Sequence, residues 1–226
     1  MSNDEQRTEV GDSKNGVVSG SSPVTSPHKS ETRSLVFYLC VAGLIAIAVR
    51  IFIAAPYLVS GPSMEETFHN HDYLIVDRFS YGICTPHIPL LNVDSVCVPV
   101  GEPQRGDVIV FKLPKNAETL IKRIIGLPGE TVTIEGSTVT IKNNEHPGGF
   151  NLAEDYIAPQ DTGGPTGLSV TLPADRYFVM GDNRRVSYDS RSWGTLPRES
   201  IVGRVLLRLY PFIQIGFLPG EARYQE

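Results

Sequence analysis

Hydrophobic residues form one long run near the start of the chain and short runs afterwards. Residues 1–34 are polar with almost no large apolar side chains, whereas residues 35–49 read LVFYLCVAGLIAIAV without interruption. The polar stretch cannot bury enough surface to offset its conformational entropy, so it predicts a disordered tail. A helix that spans a bilayer needs about 20 residues, which residues 35–55 supply if Arg50 lies near an interface. The sequence therefore predicts one transmembrane helix over residues 35–55.

Three other interpretations of this apolar run stay open. A cleaved secretory signal is disfavoured because Pro56 follows the small residues Ala54 and Ala55, and because the preceding tail is long and partly acidic. A lipoprotein signal would place a small residue before Cys40, where Leu39 stands. A buried helix of a globular domain is the third alternative.

The charges that flank the apolar run predict its orientation. Two basic residues precede it and three acidic residues follow it, namely Lys29, Arg33, Glu65, Glu66 and Asp72. Basic residues are enriched on the cytoplasmic side of membrane helices. We therefore expect a cytoplasmic tail over residues 1–34 and an extracytoplasmic domain over residues 56–226, although Arg50 weakens the asymmetry.

The rest of the chain consists of short β-branched runs separated by Gly and Pro. Such runs predict strands, here over residues 73–76, 107–111, 120–125, 131–141, 168–172, 176–180 and 201–209. The predicted fold class is mostly β, a coiled antiparallel sheet or barrel-like body with one N-terminal transmembrane helix. Residues 143–173 are rich in Gly, Pro and Asn and predict an irregular insertion within it.

Composition and charge exclude some classes of function. The chain has 226 residues and a formal net charge of −5, which argues against nucleic acid as a partner because nucleic-acid binding needs a basic face. Three cysteines, Cys40, Cys84 and Cys97, form no C-x-x-C, and five histidines have no ligand spacing, so we expect no metal site. Cys84 and Cys97 are the pair that could form a disulfide in an oxidising compartment.

One serine lies where a nucleophile could be held at the end of the apolar run. Residues 60–64 read Ser-Gly-Pro-Ser-Met, and Ser63 follows a Gly-Pro pair that is incompatible with a helix. A serine hydroxyl is a weak nucleophile until a base takes its proton, so catalysis needs a second residue. The histidines lie in the tail and in loops, and a Ser-His pair stays an alternative.

A lysine inside an apolar strand offers another kind of base. Lys122 stands in the sequence Thr-Leu-Ile-Lys-Arg-Ile-Ile-Gly at residues 119–126. Burial of an unpaired ammonium is costly and lowers the lysine pKa from about 10.4 by several units, which would leave a neutral amine able to take a proton. The alternative is simple strand alternation, in which either Lys122 or Arg123 faces solvent.

A polar loop is the third candidate segment. Residues 180–194 read Met-Gly-Asp-Asn-Arg-Arg-Val-Ser-Tyr-Asp-Ser-Arg-Ser-Trp-Gly. So many polar groups in a short loop cost desolvation unless they bond to one another. The only tryptophan, Trp193, predicts that the loop is anchored on the core, and a solvated loop is the alternative.

Together these segments resemble the type I signal peptidases, which are membrane-bound serine endopeptidases with a Ser/Lys dyad. The resemblance covers roughly residues 35–215 and rests on residues 60–67, 105–111, 121–130 and 181–197. It implies the signal-peptidase fold, no metal or organic cofactor, and a monomer that contacts lipid in the cell membrane. The implied substrate is the signal peptide of an exported preprotein, cut after an A-x-A-like sequence.

The resemblance also implies a role for each matching residue. Ser63 is implied as the nucleophile, and Lys122 as the general base that later protonates the leaving amine. Ser187 is implied to bond and orient Lys122. Two supporting ion pairs and three pocket-lining residues are also implied: Asp182 with Arg123, Asp189 with Arg191, and Met64, Leu120 and Ile121. The substrate is expected to lie extended along the edges of the Ser63 and Lys122 segments.

Two positions depart from the pattern of the family. Glu66 stands where the family commonly has proline in Ser-Met-x-Pro-Thr, within the local turn. Gly61 stands where some members carry a serine whose hydroxyl serves the oxyanion hole, and other members also carry glycine. The hole would then rely on the Ser63 backbone N–H and a second backbone N–H or a water, and one such donor is worth about 3 kcal/mol.

Two other functions stay open. A Ser/Lys self-cleaving protease of the repressor type is disfavoured by the predicted membrane helix and by the lack of a DNA-binding helix pair in the sequence. A membrane-anchored β-rich binding module with a defunct site is supported by Glu66 alone. Cleavage of a preprotein would separate the enzymatic hypothesis from this last one.

Overall fold

The computed structural model describes residues 28–52, 54–84, 97–98, 100–161, 167–222 and 224. The prediction for residues 1–27, most of the polar tail, lies outside this part of the chain. The chain divides into two compact units, residues 1–43 and residues 44–226. All of the described strands belong to the second unit.

Helix α1 runs over His28–Phe52 and contains most of the predicted transmembrane segment. It begins before the apolar run and ends before Pro56, which cannot continue a helix because its nitrogen has no hydrogen to donate. Apolar side chains of α1 are exposed, Phe37 and Tyr38 among them. No helix in the described part of the chain combines the length and the hydropathy needed to cross a membrane.

The described strands are paired antiparallel throughout. They are β1 Ala54–Leu58, β2 Tyr73–Asp77, β3 Ile83–Cys84, β4 Cys97–Val98, β5 Val108–Lys112, β6 Thr119–Gly126, β7 Thr131–Glu135, β8 Thr138–Lys142, β9 Phe150–Asn151, β10 Leu168–Thr171, β11 Arg176–Met180, β12 Leu196–Pro197, β13 Ile201–Tyr210 and β14 Gly216–Phe217. A short helix, α2, covers Ser190–Trp193. Single 3-10 turns cover Pro159–Asp161, Arg198–Ser200 and Phe212–Gln214.

The largest sheet has eight strands in the order β1-β2-β13-β5-β6-β11-β12, with β14 beside β13. The prediction of a mostly β, antiparallel fold is confirmed. The barrel-like alternative is not: the described strands form no closed barrel, and the sheet ends at β1 and β12. Both ends are poor pairing partners, because β1 contains Pro56 and β12 is two residues long.

A second sheet has the order β10-β7-β8-β9, and β3 pairs with β4. Strands β9 and β10 fall inside the predicted irregular insertion, so that segment contributes both outer strands of the second sheet. The β3–β4 pair places the backbone of Cys84 opposite that of Cys97. The side chains of both cysteines, and with them the disulfide prediction, lie outside the described residues.

Strand β5 shows why the centre of the large sheet is buried on both faces. Successive side chains of a strand point to opposite faces. Val108 and Val110 pack into one apolar cluster with Met64, while Ile109 and Phe111 pack into another. Each fully buried side chain of this kind contributes about 1.5–3 kcal/mol. The neighbouring strand β6 is therefore enclosed on both faces as well.

Candidate active site

Ser63 lies in the connection between β1 and β2. Backbone hydrogen bonds from Val59 N to Asp72 O and from His71 N to Val59 O, both 2.9 Å, close the base of this connection. Within it, Phe68 N donates to Met64 O at 2.7 Å, which forms one helical turn. Met64 and Phe68 are fully buried, so they anchor the turn while Ser63 stays half-buried.

Lys122 reaches Ser63 from strand β6. Its Nζ lies 2.7 Å from Ser63 Oγ and 2.8 Å from the carbonyl oxygen of Ile121. Strand alternation predicts that either Lys122 or Arg123 faces solvent, and that expectation is wrong: both are buried, at 2% and 0% exposure. The cause is the position of β6 between β5 and β11, with packed side chains on both faces.

Burial sets the protonation state of Lys122. Desolvation lowers the pKa of the Lys122 ammonium from 10.5 to about 8, because the charged form loses its hydration. The carboxylates of Asp189 and Asp182 oppose this and raise the pKa. A lysine with a pKa near 8 is neutral in a substantial fraction of molecules at mildly alkaline pH. It can therefore accept a proton from the serine to which it is hydrogen-bonded.

No described histidine bonds to Ser63. His69 and His71 lie on the same connection and are exposed. His146 is in the turn before β9, where its ring lies 5.1 Å from that of Phe150. Nor do the described His, Cys, Asp and Glu residues form a group that could hold a metal ion. Among the described side chains, Lys122 is the basic group that lies within hydrogen-bond distance of Ser63 Oγ.

The polar loop that follows β11 touches Ser63 through its first turn. Asn183 N donates to the carbonyl oxygen of Ser63 at 3.2 Å. Gly181 packs so closely that an added Cβ would collide with both the Ser63 carbonyl oxygen and Ser187 Oγ. The absence of a side chain at Gly181 therefore permits the approach of the loop to the serine.

The predicted pair of Asp182 and Arg123 is present and fully buried. Arg123 Nε donates to Asp182 Oδ1 at 2.8 Å and Nη2 donates to Oδ2 at 2.6 Å. Thr67 Oγ1 donates to the same Oδ2 at 2.5 Å. The remaining Arg123 donors bond to the carbonyl oxygens of Gly106, at 3.0 Å, and Gly220. This network ties the serine turn to the strand that carries Lys122.

The predicted pair of Asp189 and Arg191 is also present. Arg191 Nε donates to Asp189 Oδ1 at 2.8 Å and Nη2 donates to Oδ2 at 2.7 Å. The Asp189 carboxylate also caps α2 by accepting from Arg191 N, and it accepts from Gly181 N at 3.1 Å. Asp189 thereby fixes the same turn that contacts Ser63.

Ser187 differs from its implied role. Its Oγ is buried and has no hydrogen-bond partner in the described structure, so it does not bond to Lys122 here. It nevertheless lies beside Gly181, which places it close to the serine turn. The Lys122 ammonium is held by Ser63 and the Ile121 carbonyl instead.

The two departures from the family pattern lie at the surface of the site. The glycine at position 61 has φ +93°, and an added Cβ would face open space. Glu66 is exposed, and Gln160 Nε2 donates to its Oε1 at 3.3 Å. Neither residue therefore obstructs the approach to Ser63.

The predicted pocket residues are only partly accessible. Met64 is fully buried because it packs with Phe68 and Leu74, whereas Leu120 and Ile121 are half-buried. Strand β11 pairs with β6 from Arg123 onward, the last pair being Met180 with Arg123. Among the described strands, none pairs with β6 on that side before Arg123. Leu120, Ile121 and Lys122 thus lie along an unpaired strand edge.

Four residues at the site were not predicted from the sequence. Thr67 and Asn183 are short polar residues next to predicted ones, and only their contacts distinguish them. Glu154 and Tyr156 lie in the inserted segment: Glu154 pairs with Arg184, and the Tyr156 ring lies 3.9 Å from the Arg123 guanidinium carbon. No local sequence pattern indicated the last two, since Glu154 lies 30 positions from Arg184.

Comparison with known proteins gives consistent matches. The model of the family described as signal peptidase, peptidase S26, matches residues 32–210. A probable signal peptidase I-2 of Synechocystis sp. is 34% identical over 206 residues, which cover 87% of this chain and 82% of that protein. Signal peptidase I of Leptolyngbya laminosa is 36% identical over 191 residues, covering 80% and 81%. A crystal structure of a signal peptidase I from Enterococcus faecalis V583 matches at 33% identity and a TM-score of 0.40, covering 47% of this chain and 98% of that one.

Proposed function

Because the chain belongs to the signal peptidase family, peptidase S26, whose members are serine endopeptidases, we propose that it removes signal peptides from exported preproteins with a Ser63–Lys122 dyad. The observation that carries this proposal is the 2.7 Å contact between Lys122 Nζ and Ser63 Oγ. Burial supports it further, since it lowers the pKa of Lys122 to about 8.

In the proposed reaction, neutral Lys122 takes the proton from Ser63 Oγ as this oxygen attacks the scissile carbonyl carbon. The resulting oxyanion is stabilised by backbone N–H donors near the serine. When the C–N bond breaks, Lys122 returns the proton to the leaving amine, and an ester between Ser63 and the signal peptide remains. Lys122 then takes a proton from a water molecule as that water attacks the ester carbonyl carbon, and it returns the proton to Ser63 Oγ when the ester C–O bond breaks and the signal peptide leaves with a free carboxyl group.

The unpaired edge of β6 supports an extended substrate. A peptide that adds as a strand forms backbone hydrogen bonds, and its alternate side chains enter pockets. Leu120 and Ile121 lie along this edge immediately before Lys122. A peptide bond placed there would lie beside both members of the dyad.

We also propose that the protein is anchored in the cell membrane by α1, with its N-terminus in the cytoplasm and its catalytic domain outside. Eight large apolar side chains of α1 between Leu35 and Ile47 are 56% to 68% exposed, which is costly in water. A second apolar set follows β13, where Phe212, Ile213 and Phe217 are at least 77% exposed. Both surfaces suit contact with lipid.

The decisive experiment is preprotein cleavage by the full chain in detergent. The purified protein should release the signal peptide after an A-x-A site, and both Ser63→Ala and Lys122→Met should abolish the release. Lys115→Met is the matched control because Lys115 is an exposed lysine, and it should cleave normally. Unchanged cleavage by the first two variants would refute the dyad. Retained preprotein binding without cleavage by the wild type would support a binding module.

A further inference from the structure

We propose that Glu154 and Tyr156 are positioning residues that hold both members of the Ser63–Lys122 pair in place. The two residues, called the clasp below, lie in the segment inserted between β9 and β10. This inference rests on the proposed function, since it names residues that act on the same pair of side chains.

Glu154 controls the polar loop through Arg184. Arg184 Nη1 donates to Glu154 Oε2 at 2.9 Å, and Nη2 donates to Oε1. The two side chains are only 5% and 8% exposed. The third group of this guanidinium, Nε, donates to the carbonyl oxygen of Gly181 at 3.0 Å. Glu154 therefore holds the Arg184 side chain in place, and Arg184 in turn holds the carbonyl group of Gly181.

The Gly181 turn passes that constraint to the serine. Asn183 N, two residues along, donates to the Ser63 carbonyl oxygen at 3.2 Å. At Gly181 itself the backbone approaches Ser63 so closely that even a Cβ would not fit. A displacement of this turn would therefore move Ser63 or leave its carbonyl oxygen without a donor.

Tyr156 contacts the strand that carries Lys122, the second member of the pair. Its ring lies 3.9 Å from the guanidinium carbon of Arg123, the residue next to Lys122 in β6. Its hydroxyl donates to Glu154 Oε1 at 2.8 Å and accepts from the Tyr224 hydroxyl at 2.9 Å. The clasp is therefore one hydrogen-bonded unit with a contact to each side of the site.

A second buried ion pair provides a control for simple stability. Arg105 and Glu130 also form two hydrogen bonds, at 2.8 and 2.7 Å, and are 2% and 6% exposed. Glu130 accepts in addition from Leu127 N and Asn143 Nδ2, so it holds the turn between β6 and β7. Loss of either carboxylate removes a counter-charge from a buried arginine, but of the two only Glu154 is linked through its arginine to the Gly181 turn.

The test compares Glu154→Gln with Glu130→Gln in the full chain. A misplacement of about 1 Å can cost about 100-fold in rate, so Glu154→Gln should lower kcat about 10- to 100-fold with KM changed less than about 3-fold. Glu130→Gln should keep the wild-type kcat despite a similar loss of stability. Glu154→Asp, which restores the charge, should recover most of kcat.

A second readout does not depend on turnover. The rate at which an amine reagent modifies Lys122, followed against pH by peptide mass spectrometry, reports the pKa of that residue. Glu154→Gln should raise this pKa from about 8 toward 10.5 because a loosened site admits water, and Glu130→Gln should not.

The outcomes separate the clasp from the proposed function. If Glu154→Gln keeps kcat within about 2-fold and leaves the pH dependence of Lys122 labelling unchanged, the clasp is refuted while the dyad stands. If Glu154→Gln does not fold, Tyr156→Leu takes its place, since it removes the ring from Arg123 and the hydroxyl from Glu154, and wild-type kcat and labelling in that variant refute the clasp. If the wild type fails to cleave, the proposed function is refuted, and the labelling comparison alone decides the clasp.

Discussion

Asp182 accepts two hydrogen bonds from one edge of the Arg123 guanidinium, at 2.8 and 2.6 Å, and neither side chain is more than 1% exposed. Arg123 follows Lys122 in β6, and Asp182 belongs to the turn that contacts Ser63. The pair therefore joins the two chain segments whose side chains meet at the site. Its integrity can be tested without an activity assay.

Asp182→Asn should lower the free energy of unfolding by about 3–5 kcal/mol, because it leaves the Arg123 charge buried without a counter-charge. Urea denaturation at neutral pH measures the change. Asp175→Asn is the control, since Asp175 is 69% exposed and lies 3.8 Å from Arg176. A surface substitution of this kind should cost less than about 0.5 kcal/mol. Equal losses in the two variants would contradict the structural role of the buried pair.

The rate of preprotein cleavage should depend on the protonation of Lys122. Only the neutral amine can accept the serine proton, and the pKa of Lys122 is lowered by burial to about 8. Therefore kcat/KM should rise with pH, reach half of its maximum near pH 8 and then level off. A pH–rate profile measures this. A midpoint near about 6.5, the ordinary pKa of histidine, would instead indicate a histidine base.

Lys122→Met should make the protein more stable at neutral pH. The folded state has a Lys122 pKa of about 8 and the unfolded chain one near 10.5, so between these values the unfolded state binds more protons and stability rises with pH. Below pH 8 the buried lysine therefore costs about 3 kcal/mol, which methionine, of similar length, avoids.

Urea denaturation of both proteins at about pH 7 and above about pH 10.5 measures that cost. The advantage of Lys122→Met should be present at the lower pH and absent at the higher one. The exposed Lys115→Met variant should show little change at either pH. A Lys122→Met variant less stable than the wild type at neutral pH would mean that burial of this lysine carries no net cost.

Gly181→Ala should reduce cleavage about 100-fold or more, because its Cβ would displace the turn from the Ser63 carbonyl oxygen and Ser187 Oγ. Steady-state kinetics of the purified variant measures the effect. Gly148→Ala is the control: an added Cβ there meets no atom within 4 Å. Wild-type activity in Gly181→Ala would show that the turn can move away from Ser63 at no cost to catalysis.

The exposed side chains after β13 should bind lipid. In residues 54–226, which lack α1, replacement of Phe212 and Ile213, 77% and 93% exposed, by serine should weaken sedimentation with phospholipid vesicles about ten-fold or more, because apolar area would no longer leave water. Val100→Ser, at an exposed valine in the same unit, should bind as the wild type does. Equal binding of all three proteins would place the lipid contact elsewhere.

Local sequence patterns predicted most strands, because β-branched runs between turns favour a strand over other structures. They failed at Lys122 and Arg123, where alternation predicts one exposed residue and both are buried. Burial there depends on which strands flank β6, and this is decided by pairings between distant parts of the chain. The prediction that Ser63 lies close to Lys122 rested on the resemblance to a family, since no sequence periodicity connects residues 59 positions apart.

The inserted segment, residues 143–173, is a second case in which local sequence patterns did not predict the structure. Its Gly- and Pro-rich composition predicts irregular structure, yet it supplies two strands and the Glu154–Tyr156 clasp. Nothing within a few residues of Glu154 indicates that Arg184 is its partner. Ion pairs that close over long stretches of chain leave no local pattern, so their members are found only from the folded structure.

Strand β5 pairs with one edge of β6, and the opposite edge has no described partner strand only from Thr119 to Lys122. A strand rises about 3.3 Å per residue. An extended peptide on this edge would contact the protein through about four of its residues. Successive side chains of a strand point to opposite faces, so only every second side chain of the peptide would enter a pocket. Such an edge can recognise only a few side chains of its substrate. It therefore suits an enzyme that must accept many unrelated chains sharing one short cleavage sequence.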